Sequence, residues 1–228
     1  VHGDFVMDSQ YSHKTLLLAG LLELKGNFVQ KSTISTISSS VSSFNFHSTG
    51  THKVLMSGTA LQTVSFENLS GTTYSYFNIL EVTNSSEAWV DFQPYFSAKT
   101  FISSNDEFPY DLKIVGMPWT LPKNFTIQGD LELLGSKLDL NGKTLTVEGN
   151  VIHSKGHLDL NGGRLIVKGD YRNQTISKDS SGNLTYSYGG GLLEMTTTAD
   201  SMLVHGDFVM DSQYSHKTLL LAGLLELK

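Results

Sequence analysis

The sequence contains no cysteine. That removes a disulfide framework, a thiolate metal site and a thiol nucleophile together. Charge is sparse, at 17% of residues, and leans acidic with a formal net of −6. Nucleic acid and anionic membrane surfaces both reward a basic face, so neither is expected as a partner. Long apolar runs are missing as well. The longest, Leu16–Leu22, is interrupted by Ala19 and Gly20 and is too short to span a bilayer, so no membrane insertion is expected. The four prolines, Pro94, Pro109, Pro118 and Pro122, crowd into one stretch. Proline cannot donate to a β-ladder, so residues 94–122 are expected to be less regular and to hold loop excursions. No GxSxG, no HExxH and no phosphate-cradling glycine loop followed by lysine occurs. The chain is therefore expected not to be an enzyme and to carry no cofactor and no metal.

What is present is repetition. VHGDFVMDSQYSHKTLLLAGLLELK stands at Val1–Lys25 and again, unchanged, at Val204–Lys228. The 203-residue offset reads as one full unit followed by the first 25 residues of the next. Smaller repeats lie inside that unit. SKLDLNGKTLTVEGNV (Ser136–Val151) aligns with GHLDLNGGRLIVKGDY (Gly156–Tyr171) at a shift of 20, and FTIQGDL (Phe125–Leu131) fits one step earlier. Phe125, Leu145 and Leu165 then share a column, as do Ile127, Val147 and Val167, and Leu131, Val151 and Tyr171. Polar residues such as Thr126 and Thr146 fall between them, the period-two pattern of strands with one buried face.

A strand pattern that returns every 20 residues predicts an all-β fold. The expectation is one parallel β-solenoid (β-helix) over 1–228, right-handed, with coils of about 20–24 residues. Corners are expected at Gly3-Asp4, Gly26-Asn27, Gly129-Asp130, Gly149-Asn150, Gly169-Asp170 and Gly206-Asp207, with glycine supplying positive φ. Asn141-Gly142 and Asn161-Gly162 mark a second column of turns.

The segments LDLNGKTLTVEGNV and LDLNGGRLIVKGDY, with GTHKVLMSGTALQTVSFENLSG and YFNILEVTNSS upstream, resemble the repeat regions of large bacterial surface proteins. Those regions form right-handed parallel β-helices in filamentous adhesins and in stalks of polymorphic-toxin or wall-associated proteins. The resemblance implies an extended scaffold at a bacterial cell surface or outside the cell, and it carries over no catalytic residue.

Three readings of function follow. In the leading one the chain is a structural repeat module of a fibre, stalk or adhesin whose partners are identical neighbouring units. Leu22, Leu24 and Phe28 near the start would stack on Met202, Val204 and Phe208 near the end. In the second, aromatic residues Trp89, Tyr95 and Trp119 present a glycan-binding face, although such a cluster more often fills the core. The third, a polysaccharide-degrading enzyme, would use Asp139 and Asp159, which fall in one column. Against it, both carboxylates can simply face water beside Lys137 and His157. His153 and His157 are assigned to no metal.

Overall fold

A computed structural model describes residues 1–9, 11, 13, 15–33, 46–67, 75–87, 89–93, 98–116 and 118–228. The chain forms two compact units, Val1–Asn105 and Asp106–Lys228. Unit 1 holds β1 (Phe5–Met7), β2 (Leu21–Leu24), β3 (Phe28–Gln30), β4 (Lys53–Met56), β5 (Gln62–Phe66), β6 (Phe77–Val82), β7 (Val90–Gln93) and β8 (Ala98–Ser103). Unit 2 begins with β9 (Glu107–Phe108), β10 (Leu112–Val115), β11 (Trp119–Thr120), β12 (Phe125–Ile127), β13 (Leu131–Asp139), β14 (Thr144–Val147) and β15 (Val151–Asp159). It continues with β16 (Arg164–Val167), β17 (Tyr171–Lys178), β18 (Leu184–Tyr188), β19 (Gly190–Glu194), β20 (Ser201–Val204), β21 (Phe208–Met210) and β22 (Leu224–Leu227).

Unit 1 has two four-stranded parallel sheets, ordered β1-β3-β5-β7 and β2-β4-β6-β8. Unit 2 has a six-stranded parallel sheet, β22-β20-β16-β14-β12-β9, and an eight-stranded one. The latter runs β10-β13-β15-β17-β18, with β11 beside β13, β19 beside β15 and β21 beside β17. It is mixed, because β17 and β18 pair antiparallel as a hairpin.

The single right-handed solenoid expected over 1–228 is therefore corrected. Four separate sheets, one of them mixed, divide between two units. The uniform coil of 20–24 residues fails too, since Phe28 is the ladder partner of Val64, Leu21 of Lys53 and Leu165 of Met202. Chain length between ladder partners costs little, because closure entropy grows only with the logarithm of loop length. Extra segments such as the β17–β18 hairpin can thus separate partners in sequence without breaking their pairing. In the 94–122 stretch, β8, β9, β10 and β11 all join ladders, and Pro109, Pro118 and Pro122 fall between strands. Pro94 lies outside the described residues.

Locally the columns hold. Phe125 pairs with Leu145 and Leu145 with Leu165, while Leu131 pairs with Val151 and Val151 with Tyr171. Their side chains are buried and Thr144 and Thr146 between them are half-buried, so each strand keeps one face in the core. Burial of this kind stabilises by roughly 2 kcal/mol per large apolar side chain. Unit 1 is packed instead around phenylalanine, with Phe28 centred 4.8 Å from Phe46, 5.1 Å from Phe66 and 4.7 Å from Phe77.

The Asn-Gly pairs form tight turns with both central residues at positive φ: 49° and 70° at Asn141-Gly142, 43° and 77° at Asn161-Gly162. Lys143 N–H donates to Leu140 O at 2.8 Å and Gly163 N–H to Leu160 O at 2.6 Å, closing each turn. These type I′ turns do not make hairpins here, because β13 and β14 belong to different sheets, as do β15 and β16. Their inner amides are engaged: Gly142 N–H donates to Asn161 O at 3.0 Å, and Gly162 N–H to Asp200 Oδ1 at 2.6 Å.

Candidate functional site

The described residues of the repeated segment form the same elements in both copies. Phe5–Met7 and Phe208–Met210 are strands, as are Leu21–Leu24 and Leu224–Leu227. His13 O accepts from the amides of Leu16 and Leu17, and His216 O accepts from those of Leu219 and Leu220. Gly20 has φ 100° and Gly223 φ 94°. The neighbours differ, however. The first copy carries strands on its downstream side, β1 against β3 and β2 against β4. The second copy docks on strands upstream of it, β21 on β17 and β22 on β20.

Taken together the copies display both sides of one segment. Tyr171 stacks on Phe208 at 5.2 Å and 14°, and Phe5, the counterpart of Phe208, stacks on Phe28 at 5.6 Å and 17°. Leu24 is completely buried under β4, whereas its counterpart Leu227 is 57% exposed and Leu225, the counterpart of Leu22, is 41% exposed. The Glu23 carboxyl is held below its usual range by a hydrogen bond from Ser57 Oγ and then by Lys25. Its counterpart Glu226 has Lys228 at 3.8 Å.

The six residues singled out for stacking lie on these ladders. Met202 is the partner of Leu225 and Val204 of Leu227, which are the counterparts of Leu22 and Leu24. Leu22 and Leu24 themselves pair with Val54 and Met56. Phe28 pairs with Phe5, the counterpart of Phe208.

A polar ladder runs along the Gly-Asp and Gly-Asn corners. In unit 2 the Asp130 amide donates to Asp111 Oδ1 at 2.8 Å, Asn150 to Asp130 at 2.6 Å, Asp170 to Asn150 at 2.9 Å and Asp207 to Asp170 at 2.8 Å. In unit 1 the Asn27 amide donates to Asp4 Oδ1 at 2.8 Å and Thr63 to Asn27 at 2.7 Å. The Asp207 amide bond and the Asp4 carboxylate bond are the two halves of one position in the repeat. Asp170 is held below the usual carboxylate range by the Asp207 amide first and by Arg172 second.

None of the glycines before these residues has positive φ, contrary to the reason the sequence suggested. Except at Gly3, where a Cβ would meet nothing within 4 Å, their requirement is space. A Cβ on Gly149 would lie 2.8 Å from Gly129 C and O, and one on Gly169 2.9 Å from Gly149 O. Sequence reasoning placed the corners but missed the ladder. The recurrence of a carboxylate or amide oxygen after each glycine was the available signal.

The two aromatic candidates among the described residues are both buried. Trp89, in unit 1, is 5% exposed and centred 6.3 Å from Phe101. Trp119, in unit 2, has no exposure and meets Phe125 edge-on at 5.5 Å. Tyr95 lies outside the described residues. A sugar-stacking platform needs an exposed ring face, and neither indole offers one.

Asp139 and Asp159 are ladder partners, and Asp159 is in turn the partner of Glu194. Diagonal contacts relieve the column: Lys137 Nζ lies 2.9 Å from Asp159, His157 Nε2 2.7 Å from Glu194, and Asn161 Nδ2 donates to Asp139 at 3.0 Å. The Asp159 contact raises the Lys137 pKa. Because the Lys137 side chain is 46% exposed, Lys137→Ala should cost under about 1 kcal/mol, and less in high salt, as read from urea midpoints. Among the described residues no group of three or more His, Asp or Glu could hold a metal ion.

His153 is fully buried, with Nδ1 2.8 Å from the Tyr171 hydroxyl and Nε2 3.3 Å from Gly156 O. This pattern suits a neutral ring that accepts from Tyr171 and donates to the carbonyl. Burial pushes the imidazole pKa down to about 4 and the Tyr171 phenol up.

Among the described residues no helix is long and apolar enough to cross a membrane. No family model, curated protein or solved structure matches the chain.

Proposed function

We propose that the chain is a structural repeat module, joined to identical units by continuation of its sheets through the repeated segment. Such an array would form a long fibre, stalk or adhesin outside a bacterial cell, as in the surface proteins the sequence resembles. The observation that carries the reading is the pair of complementary environments. The strands of one 25-residue segment are the last edge of unit 2 and the first edge of unit 1. A segment with both neighbours would have β17 and β20 on one side and β3 and β4 on the other. The open apolar edge at Leu225 and Leu227 would then be covered as Leu22 and Leu24 are. Low charge and the absence of thiols suit a scaffold, and the reading assigns no catalytic residue.

A covalent tandem of two repeats tests this. In the copy at the junction, amide exchange at Phe208 and Leu225 should slow well below its rate in the single chain. Exchange as fast as in the single chain would rule the module out.

A further inference from the structure

We propose that the β17–β18 hairpin is a self-recognition site, at which β18 pairs antiparallel, edge to edge, with β18 of a second copy of this chain. The hairpin leaves the ladder between two occupied rungs, since β17 has β15 on one side and β21 on the other. Burial falls away along it: Asn173 is buried, whereas Ser177 and Lys178 are exposed. All 5 residues of β18 are exposed, Leu184, Tyr186 and Tyr188 among them. A two-stranded hairpin with no core of its own is marginal in water, and further strands are what stabilise one.

The free edge is ready for a strand. The sheet order ends at β18, so among the described residues no strand lies on its far side. Asp179 N–H donates to Asn183 O at 2.9 Å, which sets the alternation of the pair. Thr185 and Ser187 therefore turn their backbone groups toward β17, and Leu184, Tyr186 and Tyr188 turn theirs outward. Edges of this kind are commonly blunted by charge, proline or a bulge. β18 has no charged residue and no proline, and its register with β17 is unbroken.

The order of side chains about Tyr186 selects a second copy as the partner. Antiparallel pairing on a twofold axis at Tyr186 sets that residue opposite itself, Leu184 opposite Tyr188 and Thr185 opposite Ser187. One face then carries only leucine and tyrosine and the other only hydroxyls. The hairpin already has this division, with Ile176 opposite Tyr186 and Thr185 Oγ1 2.7 Å from Ser177 Oγ. Apolar and hydroxyl pairs of this kind stabilise a ladder. The outward backbone groups also fall in register, because Tyr186 with Tyr186 and Leu184 with Tyr188 become the hydrogen-bonded positions. Two hairpins thus merge into one sheet, β17-β18-β18-β17. A 5-residue edge is small beside the roughly 1,200–2,000 Å² of a stable interface, so single chains pair weakly and covalent trapping is the suitable readout.

The chain has no cysteine of its own, which makes trapping specific. One preparation carries Thr185→Cys and another, with a mass tag, carries Ser187→Cys. Mixed and oxidised, they should form a disulfide-linked heterodimer, because the two positions lie directly opposite. Neither should dimerise alone, because each position is two residues out of register with its own counterpart, beyond the ~7 Å Cα separation a disulfide spans. No heterodimer in the mixture overturns the proposal and leaves the tyrosine face to a partner other than a second copy. Equal cross-linking by either variant alone also overturns it, since that marks random collision or another register.

Adding Tyr186→Lys to both chains places like charges on the axis and should abolish the heterodimer. Ser177→Cys with Thr185→Cys, which are ladder partners, should still close within one Tyr186→Lys chain and so report an intact hairpin. A heterodimer that persists with Tyr186→Lys overturns the proposal. Failure here leaves the module reading standing, because amide exchange in the covalent tandem reads pairing through the repeated segment and not through β18.

Discussion

Gly156→Ala should destabilise unit 2 by roughly 3–5 kcal/mol, while Gly135→Ala should cost about 1–2 kcal/mol. Both glycines have positive φ, 97° at Gly156 and 87° at Gly135, so alanine at either pays a similar backbone penalty. They differ in surroundings. A Cβ on Gly135 points into open space, but one on Gly156 would fall on Ser136 O and sit 2.7 Å from Ser136 N. Those are backbone atoms of the neighbouring ladder strand and cannot swing aside. The irregularity between Leu134 and Ser136 in the β13–β15 register leaves Gly135 out of the pairing, which gives it the extra room. Gly156 also presents the carbonyl that His153 faces at 3.3 Å, so the same substitution loosens the imidazole. Urea denaturation of the two variants side by side measures the difference. Equal losses would mean that the β15 backbone yields to the methyl group.

Acidification should have the next largest effect. Lowering the pH from 7 to 4 should remove about 3 kcal/mol of stability through His153 alone. The unfolded imidazole takes a proton near its ordinary value of 6.5, whereas the folded one resists until about 4 because it is buried. Between those values the unfolded state binds the extra proton, so stability is full above 6.5 and declines as pH falls toward 4. His52, also lowered by burial, works in the same direction. His153→Gln keeps groups able to meet Tyr171 and Gly156 O but does not titrate. Its stability should start lower at pH 7 and fall less, so the gap to the parent narrows on acidification. A variant whose pH slope equals the parent's would remove His153 as the cause.

How much of this was legible in the sequence depends on range. The columns Phe125–Leu145–Leu165 and Leu131–Val151–Tyr171 were readable because strand period and repeat spacing are both local to a few tens of residues. The number of sheets was not. It depends on which strand lies beside which, and partners as distant as Phe28 and Val64 leave no periodic trace. The β17–β18 hairpin did have a signal in Asp179-Ser-Ser-Gly-Asn183, where Gly182 turns the chain at φ 83°. The 20-residue pattern drew attention away from it. At the candidate site, the repeated segment announced its own importance by identity. The polar ladder did not, because an Asp or Asn after glycine reads as a turn residue whichever atom it bonds. Trp89 and Trp119 were ambiguous for a plainer reason: aromatic density is the same for a core and for a binding face, and only burial separates the two.

The Asn-Gly turns carry a consequence for the chain's lifetime. Asn-Gly is a dipeptide open to deamidation, in which the glycine nitrogen attacks the asparagine side-chain carbonyl, ammonia leaves, and water opens the resulting succinimide to aspartate or isoaspartate. At Asn141 and Asn161 that nitrogen is already committed, to Asn161 O in one turn and to the Asp200 carboxylate in the other. The folded molecule thereby withholds the attacking atom at both places. Unfolding releases it, so isoaspartate at these two positions would accumulate as a chemical clock of the time each molecule has spent open.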